Sequence, residues 1–168
     1  LERTGLDGRR HDVLLGGTEG EGAQGEALLV TEAPARVFSD LPPESVDEAF
    51  LRGAWAALTA LHQAGIAHRT ISGQYLVERA DGAPALADFT HARLAASRND
   101  LMIDRVHMLV TLAVAVGRER AVASAVEALG VDGLAQALPY VQDPVLSAPL
   151  RRAMGTGWGL DDLRALAI

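Results

Sequence analysis

Two short stretches hold the side chains best placed to do chemistry. The first is Leu61-His62-Gln63-Ala64-Gly65-Ile66-Ala67-His68-Arg69-Thr70, with Tyr75 a little further on. The second is Ala85-Leu86-Ala87-Asp88-Phe89-Thr90. Arg69 could bind a phosphate or brace its own loop by a hydrogen bond. Thr70 cannot act as a base near neutral pH, because its hydroxyl is not ionised there. Asp104 falls near the start of an expected long helix. It reads first as a buried carboxylate that needs donors, ahead of an exposed one that complements the helix dipole. His68 is expected to pack as a structural residue, and His62 and His107 to lie on helix faces of the core.

Other chemistries find no support. The chain has no Cys, so disulfides and thiolate metal sites are excluded. No His, Asp or Glu cluster has zinc spacing. Ser72-Gly73 lacks the pattern of a nucleophile elbow, and no two carboxylates pair for glycoside hydrolysis. Gly20-Glu21-Gly22-Ala23-Gln24-Gly25 fits a phosphate-loop pattern, but a strand, not a helix, is expected after it. It reads more simply as a hairpin loop.

The elements that must position these residues can be read from the apolar pattern. Asp12–Leu15 and Glu26–Thr31 read as strands joined by the Gly-rich 16–25 stretch. Residues 34–43 form an extended connector. Ser45 and Glu48 match a capping box ahead of a long helix that Gly65 stops. That helix is apolar on more than one side, which predicts a central buried element. Tyr75–Arg79 and Ala83–Ala87 read as a hairpin turned at Asp81-Gly82. Helices are expected from Asp100 to Val116, Arg118 to Leu129 and Val131 to Tyr140. A turn region follows over Asp143–Pro149, then a Gly hinge and a last helix, Leu160–Ala167. The sum is an α+β pattern with a mostly helical second part.

Composition narrows the partners. The 168 residues carry a net charge of −7, with 49% apolar and only 4% aromatic side chains. The core should therefore be built from Ala, Leu and Val. All 15 basic residues are Arg and none is Lys. A nucleic-acid surface is not expected on this balance. No run is apolar for long enough to span a bilayer, so the piece itself is expected to be soluble. Abundant Ala, Gly and Arg suggest a GC-rich bacterial source, and the start at Leu1 suggests a piece of a larger protein.

Together the two stretches resemble the protein-kinase pattern L-H-x-x-G-I-x-H-R-D followed, across one hairpin, by D-F-G. In that family the Asp of H-R-D accepts or orients the substrate hydroxyl, and an Asn further along the loop holds a metal. The matching positions here are Thr70 and Tyr75. Neither can do that work, and Gln74 could reach a metal only if the loop shifted register. The D-F-G Asp is kept as Asp88, beside Phe89, but its Gly is replaced by Thr90, which favours one fixed geometry. The phosphate-binding Lys of the family is absent from this chain. By the same resemblance, Asp104 stands where kinases place a helix Asp that receives hydrogen bonds from the catalytic-loop backbone.

The path from Asp88 to Asp104 is too short for the activation segment of a peptide kinase. The chain is more similar to the aminoglycoside and choline phosphotransferase group. Asp104-Arg105, Leu109-Val110-Thr111, Ala115-Val116-Gly117, Arg120-Ala121-Val122-Ala123 and Ala128-Leu129-Gly130 resemble a bacterial family in which a kinase-like domain precedes a multi-pass module of the lysylphosphatidylglycerol synthase or flippase-like type. The ending Leu160-Asp161-Asp162-Leu163-Arg164 is similar to the stretch that leads into its membrane part.

The resemblance implies an α+β, protein-kinase-like fold. Residues 1–41 would be a partial N-terminal lobe, 42–155 the helical C-terminal lobe and 156–168 a C-terminal helix or linker. It implies a catalytically inactive pseudokinase domain with a regulatory or scaffolding role. Its partner would be a transmembrane module of the same polypeptide, on the cytoplasmic side of a bacterial membrane. No cofactor is expected beyond a residual Mg-ATP site at Asp88. The rival readings are an atypical ATP-dependent small-molecule phosphotransferase and a non-catalytic nucleotide sensor.

Overall fold

The computed structural model describes residues 36–155, 157 and 159–167. The two strands expected before residue 32, and the Gly-rich loop between them, lie outside the described residues.

The described chain is α+β and mostly helical. Strand β1 (Arg36–Val37) runs into a 3-10 turn, and a second turn at Pro43–Ser45 leads to helix α1 (Glu48–Gln63). Short strand β2 (Ile66–Ala67) follows, then a hairpin of β3 (Leu76–Glu78) and β4 (Pro84–Leu86), then β5 (Arg93–Leu94). Helices α2 (Arg98–Val116), α3 (Arg118–Ala137), α4 (Ala148–Met154) and α5 (Leu160–Leu166) complete it. Two small antiparallel sheets, β1-β3-β4 and β2-β5, flank the helices.

The start of α1 differs from the sequence expectation. Pro43 opens a 3-10 turn that consumes Ser45, whose hydroxyl donates to the Pro42 carbonyl at 2.8 Å. The cap is Asp47 instead, which accepts from the Phe50 amide at 2.8 Å. Nor is α1 the central helix. It buries one face, formed by Phe50, Leu51, Ala54, Trp55 and Leu58, and exposes Arg52, Ala56 and Thr59. Alanine fits either environment, so an Ala-rich helix looks apolar all round without being buried all round. The enclosed element is α2, buried without a break from Val106 to Ala113.

Hairpin β3-β4 has the expected turn, with Leu76 opposite Leu86 and Val77 opposite Ala85. It packs on α1 at Gly53, where a Cβ would stand 2.7 Å from Pro84 Cγ. β1, inside the expected connector, adds a third strand, and Arg36 pairs with Glu78 across it at 2.6 Å.

Helix α2 begins with a true capping box that sequence reading did not identify. Ser97 Oγ accepts from the Asp100 amide, and Asp100 Oδ2 accepts from the Ser97 amide. A single residue, Gly117, separates α2 from α3. The latter kinks at Gly130 (φ 70°, ψ 165°), where sequence reading divides two helices. Trp55 Nε1 donates to Ser124 Oγ at 3.0 Å and ties α1 to α3 inside the core. The expected turn over 143–149 holds a 3-10 turn and then α4, capped by Ser147. Pro149 lies in its first turn, where a missing amide costs no hydrogen bond. Helix α5 contributes Leu160 and Leu163 to the same core as Phe38 and Leu41.

Arg118–Tyr140 is the one described segment long and apolar enough to cross a membrane by length and composition. Gly130 breaks it, and Ala121, Val122, Ala125 and Leu134 sit in the core.

Candidate functional site

The loop from His68 to Tyr75 connects β2 to the hairpin, and Asp88 lies two residues past the end of β4. Helix α2 lies beneath both. Asp104, on that helix, is 0% exposed. Its Oδ2 accepts from the His68 amide and its Oδ1 from the Arg69 amide, each at 2.6 Å. His62 Nε2 donates to Oδ2 at 3.3 Å. One carboxylate therefore binds two consecutive loop amides and a histidine on α1. Such charge-assisted bonds are stronger than neutral ones. They hold Arg69 at φ 71°, a conformation uncommon for a non-glycine residue.

His68 is also fully buried. Its Nε2–H donates to the Ala87 carbonyl at 2.8 Å, which ties the loop to the end of β4. Its ring packs against Phe89 (centroids 5.1 Å apart) and faces Tyr75 at 6.3 Å. Burial pushes its pKa below the ordinary histidine value, against the smaller opposing pull of the Ala87 carbonyl and of Asp104 and Asp88. Thr70 Oγ1 lies 3.4 Å from His68 Nδ1. A neutral imidazole of lowered basicity is a poor proton acceptor for that hydroxyl.

Asp88 sits at φ 58° and is exposed. Thr90 closes on it, its hydroxyl and its amide both donating to Asp88 Oδ1, the amide at 3.1 Å. Those two bonds, the hydroxyl first, hold the Asp88 carboxyl below the usual carboxylate range. The carboxylate is thus ionised and fixed, with one oxygen committed to the chain itself. Among the described residues no group of three His, Cys, Asp or Glu side chains could hold a metal ion.

The Arg69 side chain, 45% exposed, lies with its Nε 3.7 Å from Asp100 Oδ1. Arg93 reaches the same carboxylate at 3.2 Å. Both cations thus have an internal anion, which competes with any phosphate. Neither Asp100 nor Arg93 was among the residues expected at the site. The Ser97-x-x-Asp100 spacing could have revealed the cap, but not that its carboxylate also faces two arginines. His107, three residues after Asp104 on α2, donates to the Val145 carbonyl at 2.9 Å, and burial lowers its pKa.

The structure therefore brings His68, Arg69, Thr70, Tyr75, Asp88, Phe89 and Asp104 into one region. Compared with models of protein families, with curated proteins and with solved structures, the chain matches none.

Proposed function

We propose that this chain is the C-terminal part of a protein-kinase-like domain that has lost phosphotransfer and serves as a regulatory or scaffolding pseudokinase. The observation that carries the reading is Asp104 binding the amides of His68 and Arg69. The site keeps the brace of a catalytic loop while the loop itself presents Thr70 where a base is needed. Tyr75 offers no amide oxygen to a metal, and no Lys is present for the nucleotide phosphates. The sequence resemblance supports a place on the cytoplasmic side of a bacterial membrane, attached to a multi-pass module.

A nucleotide-sensing reading has one observation in its favour: Asp88 is exposed and ionised, so it could meet a Mg-nucleotide. Incubation with Mg-ATP and a panel of small alcohols, aminoglycosides and choline is expected to give no phosphorylated product. Turnover that Asp88→Ala abolishes would overturn the pseudokinase assignment. A rise in unfolding temperature with Mg-ATP but no turnover would favour the sensor, because a ligand that binds the native state stabilises it.

A further inference from the structure

We propose that the groove between α1, α2 and α3 binds a small organic anion, its acidic head on Arg105 and its apolar body against Leu58 and Leu129. The cavity measures about 300 Å³ and is lined by Leu58, Thr59, His62, Gln63, Arg105 and Leu129. It lies beside α2 one residue past Asp104 and uses none of the residues assigned to the degenerate loop.

Arg105 supplies the reason for an anion. Its Nη1 reaches Met102 Sδ at 3.8 Å and the Gly133 carbonyl at 3.4 Å, both weak contacts. Its Nε is buried and has no hydrogen-bond partner among the described residues. Among the described residues no carboxylate forms an ion pair with it. Burial, with a smaller push from Arg98, lowers its pKa from an arginine's ordinary value. An arginine stays charged under such a shift. A half-buried guanidinium with no carboxylate beside it is stabilised by an anion that enters the groove it lines. A guanidinium presents a planar fork that matches a carboxylate or a phosphate.

The rest of the lining fits an amphiphile. Leu58 is buried and Leu129 half-buried, so they form an apolar wall. Thr59 and Gln63 are exposed at the rim and add polar groups for the head. His62 connects the cavity to the loop, since its Nε2 donates to Asp104 Oδ2. An occupant therefore sits one hydrogen bond from the carboxylate that holds His68 and Arg69.

The test titrates the full chain with hexanoate, hexyl phosphate and inorganic phosphate by calorimetry. At least one of the alkyl anions is expected to bind with a Kd of about 1 mM or tighter. Inorganic phosphate should bind at least tenfold more weakly, because it lacks the apolar body. Arg105→Met should weaken the alkyl anion at least tenfold, while Arg152→Gln leaves it unchanged. Leu129→Ala is the second probe, should Arg105→Met fail to fold, and should weaken binding several-fold. Amide ¹⁵N resonances of His68 and Arg69 should shift on saturation. If neither alkyl anion binds saturably, the proposal is overturned. So does binding that Arg105→Met and Leu129→Ala both leave intact.

Discussion

At the residue scale, the loop's geometry depends on Asp104. Arg69 occupies a left-handed conformation that costs free energy in a non-glycine residue. It persists because the amides of His68 and Arg69 converge on one buried carboxylate. Asp104→Ala removes the acceptor and leaves both donors without a partner. It should lower stability by about 3 kcal/mol, measured by urea unfolding. Thr70→Ala, which loses only a contact at 3.4 Å, should change it by less than about 0.5 kcal/mol. Thr90 fixes Asp88, since both its hydroxyl and its amide donate to the Asp88 carboxylate. Thr90→Ala should therefore raise the Asp88 pKa toward the ordinary aspartate value, read from carboxyl ¹³C shifts against pH. No rise would mean that the hydroxyl is not what holds the carboxylate. The sequence favoured the buried, bracing Asp104 over an exposed one but could not fix it, because either environment can follow from a position near a helix start. Burial on this helix comes from neighbours distant in the chain.

At the element scale, α2 organises the site because it is enclosed by α1, α3 and α4 and carries Asp100, Asp104 and His107 along its length. Its limits follow from local chemistry: Ser97 and Asp100 cap one end, and Gly117 closes the other. The kink in α3 likewise has a local cause. Gly130 adopts φ 70° and ψ 165°, a region open almost only to glycine. Gly130→Ala should cost about 1–3 kcal/mol, seen as a lower urea midpoint with an unchanged slope. An unaltered midpoint would show that α3 can straighten without penalty. Helix α4 and the β2-β5 pair were not legible. Pro149 reads as a breaker unless its place in a first turn is known, and two-residue strands exist only where a distant partner supplies the hydrogen bonds.

At the scale of the whole molecule, pH should act through the buried histidines. His68 and His107 have folded pKa values lowered from 6.5, chiefly by burial. The unfolded chain therefore takes up protons first as the pH falls. Stability from keeping them neutral is full above about pH 6.5 and is lost on descent through the folded values. Urea midpoints should be flat above neutrality and fall below about pH 6.5, and His107→Gln should flatten part of that fall. A midpoint that rises between pH 7 and 5.5 would contradict the burial of neutral imidazoles. Sequence alone determined the α+β class, the β3-β4 hairpin, the helix stops at glycine and the absence of a carboxylate at Thr70, because these rest on local periodicity and residue chemistry. Only the tertiary structure decided which helix is enclosed, that Asp104 receives two loop amides, that Asp100 faces two arginines and that, among the described residues, no carboxylate pairs with Arg105. Those are facts of distance between residues far apart in the chain, and neither propensity nor spacing fixes them.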